Sequence, residues 1–393
     1  MKVLLLVDDY LPHSTKIGAK MMHELAMGLL ERGHEVAVAT PDFRIKSGYQ
    51  EEKIDGVRVY RFRSPNVKHE SKVKRALNET ALSFNAYRNL RPVFNSIQFD
   101  KIVAYSPSIF FGPLIKKLKK KWNAKSYLIL RDIFPQWVID QGIVKEKSPV
   151  VTYFRKFEKI NYAAADRIGL QSPKNLEWFN AKFGLQKKTE VLFNWSSETP
   201  INIPSDSFKR KNNLGDKVVF FYGGNMGEAQ DMMNLVRLAR NLKNEDKAHF
   251  VFAGSGNEFH LVEEAIKTFE LSNLTLLKPV SQKIYREMLS EFDIGLFSLH
   301  KSHSTHNFPG KLLGYMAQGL PILGSVNKGN DVLEVIENAQ AGYVCLNGDD
   351  EVFKDNALKL LQNNTERKQL GLNSNRLLQD KFSVQSCIET ILA

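Results

Sequence analysis

Short continuous apolar runs alternate along this chain with stretches in which apolar residues return every three or four positions. The first pattern suits parallel strands buried on both faces, and the second suits helices with one apolar stripe. In the first half the strand-like runs are 2–7 (KVLLLV), 35–40 (EVAVAT), 57–62 (VRVYRF), 101–106 (KIVAYS), 126–131 (SYLILR), 167–172 (RIGLQS) and 189–194 (TEVLFN). A helix is predicted over 18–33, with Met22, Leu25, Ala26 and Leu29 on one face and Gly33 as its stop. The pattern lapses over 196–216, which reads as a polar linker rich in Pro, Asn and Ser. It restarts with runs at 217–224, 248–254, 274–279, 294–299, 321–325 and 341–346. The expected fold class is α/β, with two doubly wound, Rossmann-like domains over 1–195 and 217–375 facing each other across a cleft. A helix within 376–393 is expected to pack back toward the first domain.

The stretch NFPGKLLGYMAQGLPILGS (307–325) reads as a loop, a helix start, a helix and a buried strand. Pro309 sets a helix-compatible backbone angle, Lys311 falls in the first turn, and Gly319 and Pro321 end the helix. First-turn N–H groups lack partners inside a helix, so a lysine there makes this start a receiver for phosphate. Two glycine-rich turns are expected at the same edge of the sheet, where α/β folds bind ligands. One is FFYGGNMGEAQD (220–231), with Gly223, Gly224, Gly227 and the Asn225 amide; the other is FAGSGNE (252–258), with Gly254. Each turn alone fits a packing need equally well, but together with Lys311 they predict a diphosphate site. Tyr222 fills the first glycine position of G-x-G-x-x-G, which disfavours a dinucleotide cofactor. Thr305 stands where a P-loop needs its first glycine and Leu312 follows Lys311, which disfavours an ATPase.

Composition bounds the function further. A chain of 393 residues suggests two domains, and 43% hydrophobic with 25% charged residues is ordinary for a soluble globular chain. Cys345 and Cys387 offer neither a disulfide framework nor a metal spacing, which suits a reducing, cytoplasmic setting. The start MKVLLLVDDYLP reads as a central strand and not a secretory signal, because Asp8 and Asp9 interrupt it. No apolar run approaches the ~18 residues that cross a bilayer, so the chain is expected to be soluble or peripheral. Charge is uneven: residues 1–195 hold 34 Lys and Arg against 19 Asp and Glu, a surplus of 15, and the remainder holds 21 against 24. The first half therefore suits an anionic membrane surface; nucleic acid is disfavoured because stacking aromatics are not interleaved with the basic residues. The densest basic stretch, 114–125 with Trp122, reads either as a helix lying on lipid headgroups or as a solvated helix face.

The ordered motifs resemble retaining glycosyltransferases of family 4 with the GT-B fold. The second half carries YGGNMGEAQDMMNL, FAGSGNE, LTLLKPVSQKIYREMLSEFDIGLFSL, PGKLLGYMAQGLPILGS and AGYVCLNGDD. The first half carries DDYLPHSTKIGAKMMHELAMGLLERGHEVAVAT, EKIDGVRVYR, RDIFPQWVIDQGIV, AADRIGLQSP and VLFNWSSE. Within the family they are similar to the WbuB-like branch, assigned as N-acetyl-L-fucosaminyl transferases of bacterial surface polysaccharide assembly. The resemblance implies a UDP-sugar donor on the second domain, a polyprenyl-diphosphate-linked glycan acceptor on the first, and chemistry in the cleft, with the enzyme peripheral on the inner face of the membrane. It places Gly224 and Asn225 at the diphosphate, Gly254 among the residues that bind the nucleotide-sugar donor, and Pro279 and Val280 at the uracil through their backbone. Asn307, Phe308, Pro309 and Gly310 would present N–H groups to the donor sugar, with Lys311 on the phosphates. The loop from Pro12 to Gly18, including His13, would face the reacting centre, and Arg131 and Asp132 would point into the same cleft.

Two glutamates that the family places seven residues apart fall here on His306 and Gly314, so neither carboxylate is present. Asn330 or Asp331 are the substitutes expected to take the ribose hydroxyls. The family's His-Asp pair becomes Arg131–Asp132, in which Asp132 either orients a sugar or acceptor or serves as an ion-pair or cap residue. With no obvious enzyme nucleophile, the leaving diphosphate would help deprotonate the acceptor, with charge balanced by Lys311 and Arg131 and no metal or other cofactor. His300, His303 and His306 share a polar loop without a neighbouring acid and read as solvated. The rival readings are a UDP-sugar 2-epimerase or hydrolase of the same fold, and a degenerate transferase kept as a membrane-associated assembly partner.

Overall fold

In a computed structural model of the protein, residues 1–14, 16–140, 142–197, 200–201, 207–302 and 308–393 are described. They divide into two units, Met1–Phe193 with Val384–Ala393 (unit 1) and Asn194–Ser383 (unit 2).

Unit 1 is an eight-stranded sheet in the order β3-β4-β2-β1-β5-β6-β7-β8. Its strands are β1 (Lys2–Leu6), β2 (Glu35–Asp42), β3 (Tyr49–Ile54), β4 (Val57–Arg63), β5 (Lys101–Tyr105), β6 (Lys125–Leu130), β7 (Arg167–Leu170) and β8 (Thr189–Val191). Val3 to Leu6 are fully buried, as a central parallel strand covered on both faces requires. Pairing is parallel throughout except for β3, which runs antiparallel to β4. The periodicity did not reveal β3, because YQEEKI lies at the sheet edge and exposes Glu51 and Lys53 to solvent, a common way to blunt an edge. Its legible signal is Asp55-Gly56, both at positive φ (48° and 86°), the hairpin pair that matches strand twist. Around the sheet run, among others, α1 (Ile17–Glu31), α2 (Lys72–Thr80), α3 (Leu82–Asn89), α4 (Gly112–Trp122) and α5 (Pro149–Ala164).

The lipid-facing reading of 114–125 is corrected by α4. Trp122 is 5% exposed, packs edge-on against Phe94 with ring centres 5.5 Å apart, and donates its indole N–H to the Phe94 carbonyl at 3.3 Å. Lys119 pairs with Asp166 at 2.7 Å and Lys117 sits over the Tyr87 ring. The helix shows a solvated basic face, and its tryptophan belongs to the core.

Unit 2 is a six-stranded, wholly parallel sheet in the order β11-β10-β9-β12-β13-β14. The strands are β9 (Val218–Asn225), β10 (Ala248–Ser255), β11 (Leu274–Leu277), β12 (Ile294–Ser298), β13 (Ile322–Val326) and β14 (Gly342–Leu346). Its helices include α6 (Met232–Asn241), α7 (Lys311–Ala317), α8 (Asp331–Asn338) and α9 (Asn364–Leu377). The segment read as a linker is not all loop: Ser207 caps a short helix over Phe208–Lys211, whose first N–H groups, those of Phe208 and Lys209, donate to the Glu291 carboxylate at 2.9 and 2.8 Å.

The terminal segment divides at Ser383. α9 and the turn after it belong to unit 2, whereas α10 (Val384–Leu392) packs on α1 of unit 1. Cys387, Ile388 and Ile391 are buried there, and Arg32 donates to Gln385 at 2.6 Å and to Glu389 at 2.8 Å.

Candidate functional site

In unit 2 the strand order reverses between β9 and β12, so the crevice at their carboxyl ends is where a doubly wound sheet receives a ligand. β9 ends there in exposed Gly224 and Asn225. Gly224 has φ +124°, and Gly254, its register partner on β10, comes so close that a Cβ would lie 1.8 Å from the Gly224 carbonyl oxygen. The two corners are thus one feature, made by backbone approach that no side chain would permit. Asn225 donates its amide to Gln230 at 2.7 Å and thereby braces its own turn.

Tyr315 anchors α7 to this crevice. Its hydroxyl accepts from the Gly223 N–H at 3.2 Å and donates to the Leu296 carbonyl at 3.0 Å, linking β9 to β12. Lys311 lies one turn earlier on the same face. Its Nζ sits 3.5 Å from the centre of the Tyr222 ring and 3.9 Å from where a Gly224 Cβ would be. Among the described residues no carboxylate pairs with Lys311, and burial alone holds its ammonium well below the ordinary lysine range. The structure therefore brings Gly224, Gly254 and Lys311 together.

The start of α7 differs from the expectation in two respects. The N–H groups of Leu312 and Leu313 donate to the Pro309 and Gly310 carbonyls at 3.1 and 3.3 Å, so among the described residues those left without an acceptor at this end are on Gly310 and Lys311. Pro309 has no N–H to give, and the Phe308 ring is buried against Phe382, 4.6 Å between centres. Asn307, His303 and His306 lie outside the described residues. Pro279 and Val280 follow β11 on the same edge of the sheet. Asn330 is a helix cap: its amide oxygen accepts from Val332 N–H at 3.0 Å, its NH₂ reaches Asn327 at 3.0 Å, and it is 4% exposed. Asp331 is equally buried, and with both polar ends of Asn330 spent on the cap the expectation of a ribose contact from Asn330 is corrected. Gly314 is buried inside α7, and His300 pairs with Ser302 at 2.7 Å.

In unit 1 the order reverses between β1 and β5. Gly18, at the start of α1, packs on Tyr105 at the end of β5, and a Cβ there would lie 2.8 Å from the Tyr105 hydroxyl. A pocket of about 480 Å³ opens beyond β1, β2 and β4, lined by Asp8, Asp9, His13, Lys16, Arg61 and Lys68 among others. Lys68 lies 3.9 Å from Asp8 and pairs with Asp9, whose other contact is the Ser14 hydroxyl at 2.6 Å. The wall is held from behind by a chain in which Tyr10 OH meets His23 Nδ1 at 2.8 Å and His23 Nε2 meets Asp55 at 3.0 Å.

Burial pushes the Asp8 carboxyl above the usual carboxylate range, against the opposing pull of Lys68. Asp132, just past β6, stands partly in solvent, yet its carboxyl is also raised, first by the desolvation of its protein side and then by the Asp8 charge, while Arg131 opposes the shift. Arg131 is a correction: its guanidinium donates to the Leu130 and Phe193 carbonyls at 3.3 and 3.1 Å and is buried near Cys387. It ties β6 to the strand-end segment after β8, so donors read as facing the leaving group are spent on backbone carbonyls. The Asp8 shift has a measurable consequence. A raised carboxyl makes the fold bind its proton more tightly than the unfolded chain does, so ionising it above the ordinary range lowers stability. Asp8→Asn is expected to raise the melting temperature at pH 8 by about 2 °C, with the gain shrinking as pH falls toward 4. A variant less stable than the parent at pH 8 would contradict the burial argument.

Sequence reasoning missed Tyr315 and Lys68; it read Tyr222 only as a break in a glycine motif and Asp8 only as an interruption of an apolar run. Among the described residues no group of three His, Cys, Asp or Glu converges as a metal set, and no helix is long and apolar enough to cross a membrane.

Residues 204–376 match the sequence model of the family described as Glycosyl transferases group 1. The chain is 23% identical over 368 residues to a protein of Escherichia coli K12 named as the colanic acid biosynthesis glycosyl transferase WcaI, covering 88% of this chain and 86% of that one. It is 26% identical over 247 residues to WbjE of Pseudomonas aeruginosa, named as a glycosyltransferase, over 59% of this chain and only 58% of WbjE. Among solved structures it is similar to HepE of Anabaena in complex with UDP and glucose, with a TM-score of 0.65 at 12% identity, over 100% of this chain and 98% of that one. Two parallel-sheet α/β units with such neighbours make this the GT-B fold.

Proposed function

We propose that this protein is a glycosyltransferase that binds a UDP-sugar on unit 2 and moves the sugar to a lipid-diphosphate-linked glycan held by unit 1. The observation that carries the reading is Lys311, a half-buried cation facing a glycine corner at the sheet's reversal point, with no carboxylate beside it among the described residues. A diphosphate supplies the missing anion, and the N–H groups of Gly310 and Lys311 supply donors in the same place. Support comes from the group 1 match across this half and from HepE, whose structure holds UDP. The donor we favour is an N-acetylated hexosamine such as L-FucNAc, and the setting is surface polysaccharide assembly at the cytoplasmic face of a membrane. The surplus of 15 positive charges in residues 1–195 suits that anionic surface.

We read the transfer as one with retention. As the bond between the anomeric carbon and the diphosphate oxygen breaks, negative charge builds on the leaving group, and Lys311 is placed to balance it. The departing oxygen takes the proton of the acceptor hydroxyl attacking on the same face, so no enzyme nucleophile is needed. Asp132, with a raised carboxyl, is suited to orient a sugar hydroxyl by hydrogen bonding.

The reading makes a proton prediction. The free fold disfavours charged Lys311 and a diphosphate favours it, so binding takes up a proton and UDP affinity falls as pH rises through the lowered lysine pKa. Calorimetry of UDP binding in buffers of different ionisation enthalpy should give a net proton uptake at alkaline pH; an uptake of zero would remove Lys311 from the diphosphate. UDP release that requires a lipid-linked acceptor marks a transferase. Sugar conversion without acceptor would mark an epimerase or hydrolase instead.

A further inference from the structure

We propose that the face made by α2, α3 and the start of α5 in unit 1 is the surface that docks on an anionic lipid bilayer. This rests on the membrane-surface reading above and replaces α4, whose tryptophan is buried, as the contact. Four large apolar side chains stand in solvent on these helices: Val73 is 71% exposed, Leu77 64%, Phe84 66% and Val150 53%. Ala81 joins α2 to α3 with helical angles (φ −76°, ψ −4°), so positions 73, 77 and 84 keep the spacing of one helical stripe. Thr80 Oγ1 and Tyr153 OH lie 2.5 Å apart, which sets Tyr153 and the turn bearing Val150 beside that stripe. Folded soluble surfaces scatter single apolar residues; a contiguous group of this size marks an interaction site.

Charge selects the occupant. Glu79, the single carboxylate of α2, is held by Arg75 at 2.9 Å; α3 has none, and Glu158 of α5 is fully buried. Lys74, Arg88, Lys156 and Lys159 are exposed on the same helices. A second copy of the chain would bring two like-charged faces together, whereas anionic headgroups meet the cations while the apolar stripe enters the interface.

The test is sedimentation of the whole protein with phosphatidylcholine vesicles, with and without phosphatidylglycerol. Wild type should bind the anionic vesicles and release with salt, and Val73→Glu/Leu77→Glu should bind at least tenfold more weakly with its melting temperature and UDP binding unchanged. If wild type ignores anionic vesicles, the membrane-surface reading itself falls. If wild type binds and the double variant binds equally well while Lys116→Glu/Lys120→Glu does not, the contact is α4 and this proposal is overturned. A double variant whose only change is loss of a dimer overturns it too, in favour of contact between copies.

Discussion

Lys311→Met is expected to lower turnover by roughly 10²-fold or more, the scale of removing one group that stabilises developing charge. The free protein should melt no earlier than wild type. Methionine keeps an unbranched stem over the Tyr222 ring, and the ammonium it removes is one that burial already disfavours. The sign follows from linkage: the unfolded chain holds the Lys311 proton more tightly than the fold does, so that group weakens the wild-type fold below the ordinary lysine pKa. The variant loses that weakening along with the ring–cation contact. UDP, which should raise the melting temperature of wild type, should leave that of the variant nearly unmoved. The decisive pattern is an intact fold, lost nucleotide response and lost turnover in one protein. Turnover close to wild type would mean that the diphosphate is held elsewhere.

Gly254→Ala should be severely damaging for a single methyl, at about 3 kcal/mol. The added Cβ would sit 1.8 Å from the Gly224 carbonyl oxygen, and the obstacle is backbone, which has no rotamer to change. β9 and β10 must then part at the corner that faces the ligand, so UDP affinity should drop with stability. Hydrogen exchange over 218–225 and 248–255, together with the denaturant midpoint, reads both effects. A midpoint like that of wild type would show that the close approach of the two strands is not required.

The parallel strands were legible because a strand covered on both faces must be apolar almost without interruption, as β1, β9 and β12 are. The ends of β1, β5 and β12 were read one residue long and those of β7 and β11 two, where the chain stays apolar or extended past the last ladder bond, whereas β2, β9 and β10 run one or two residues beyond the ends read for them. β3 was hidden because an edge strand carries the polar residues that the periodicity discounts. At the site, Lys311 was legible through the Pro and Gly that bracket its helix. Tyr222 and Tyr315 were not, since an aromatic on a strand or short helix reads as core whichever way its ring leans. Asp8 and Lys68 meet only through the spatial order β1, β2, β4, which no local pattern encodes. Arg131 and Asn330 were misassigned for one reason: whether a polar side chain faces a ligand or completes its own backbone depends on which carbonyl or N–H returns to it.

Unit 1 takes its closing helix, α10, from residues 384–393, after the whole of unit 2 has been traversed. On the ribosome, the patch of α1 around Gly28 that receives Val384 and Ile388 stays uncovered while some two hundred residues of the other unit are made. Synthesis therefore imposes a sequence of maturation in which unit 2 can fold on emergence and unit 1 is sealed only later. A nascent chain stalled before residue 384 should show its first strands protected from protease but α1 open to cleavage.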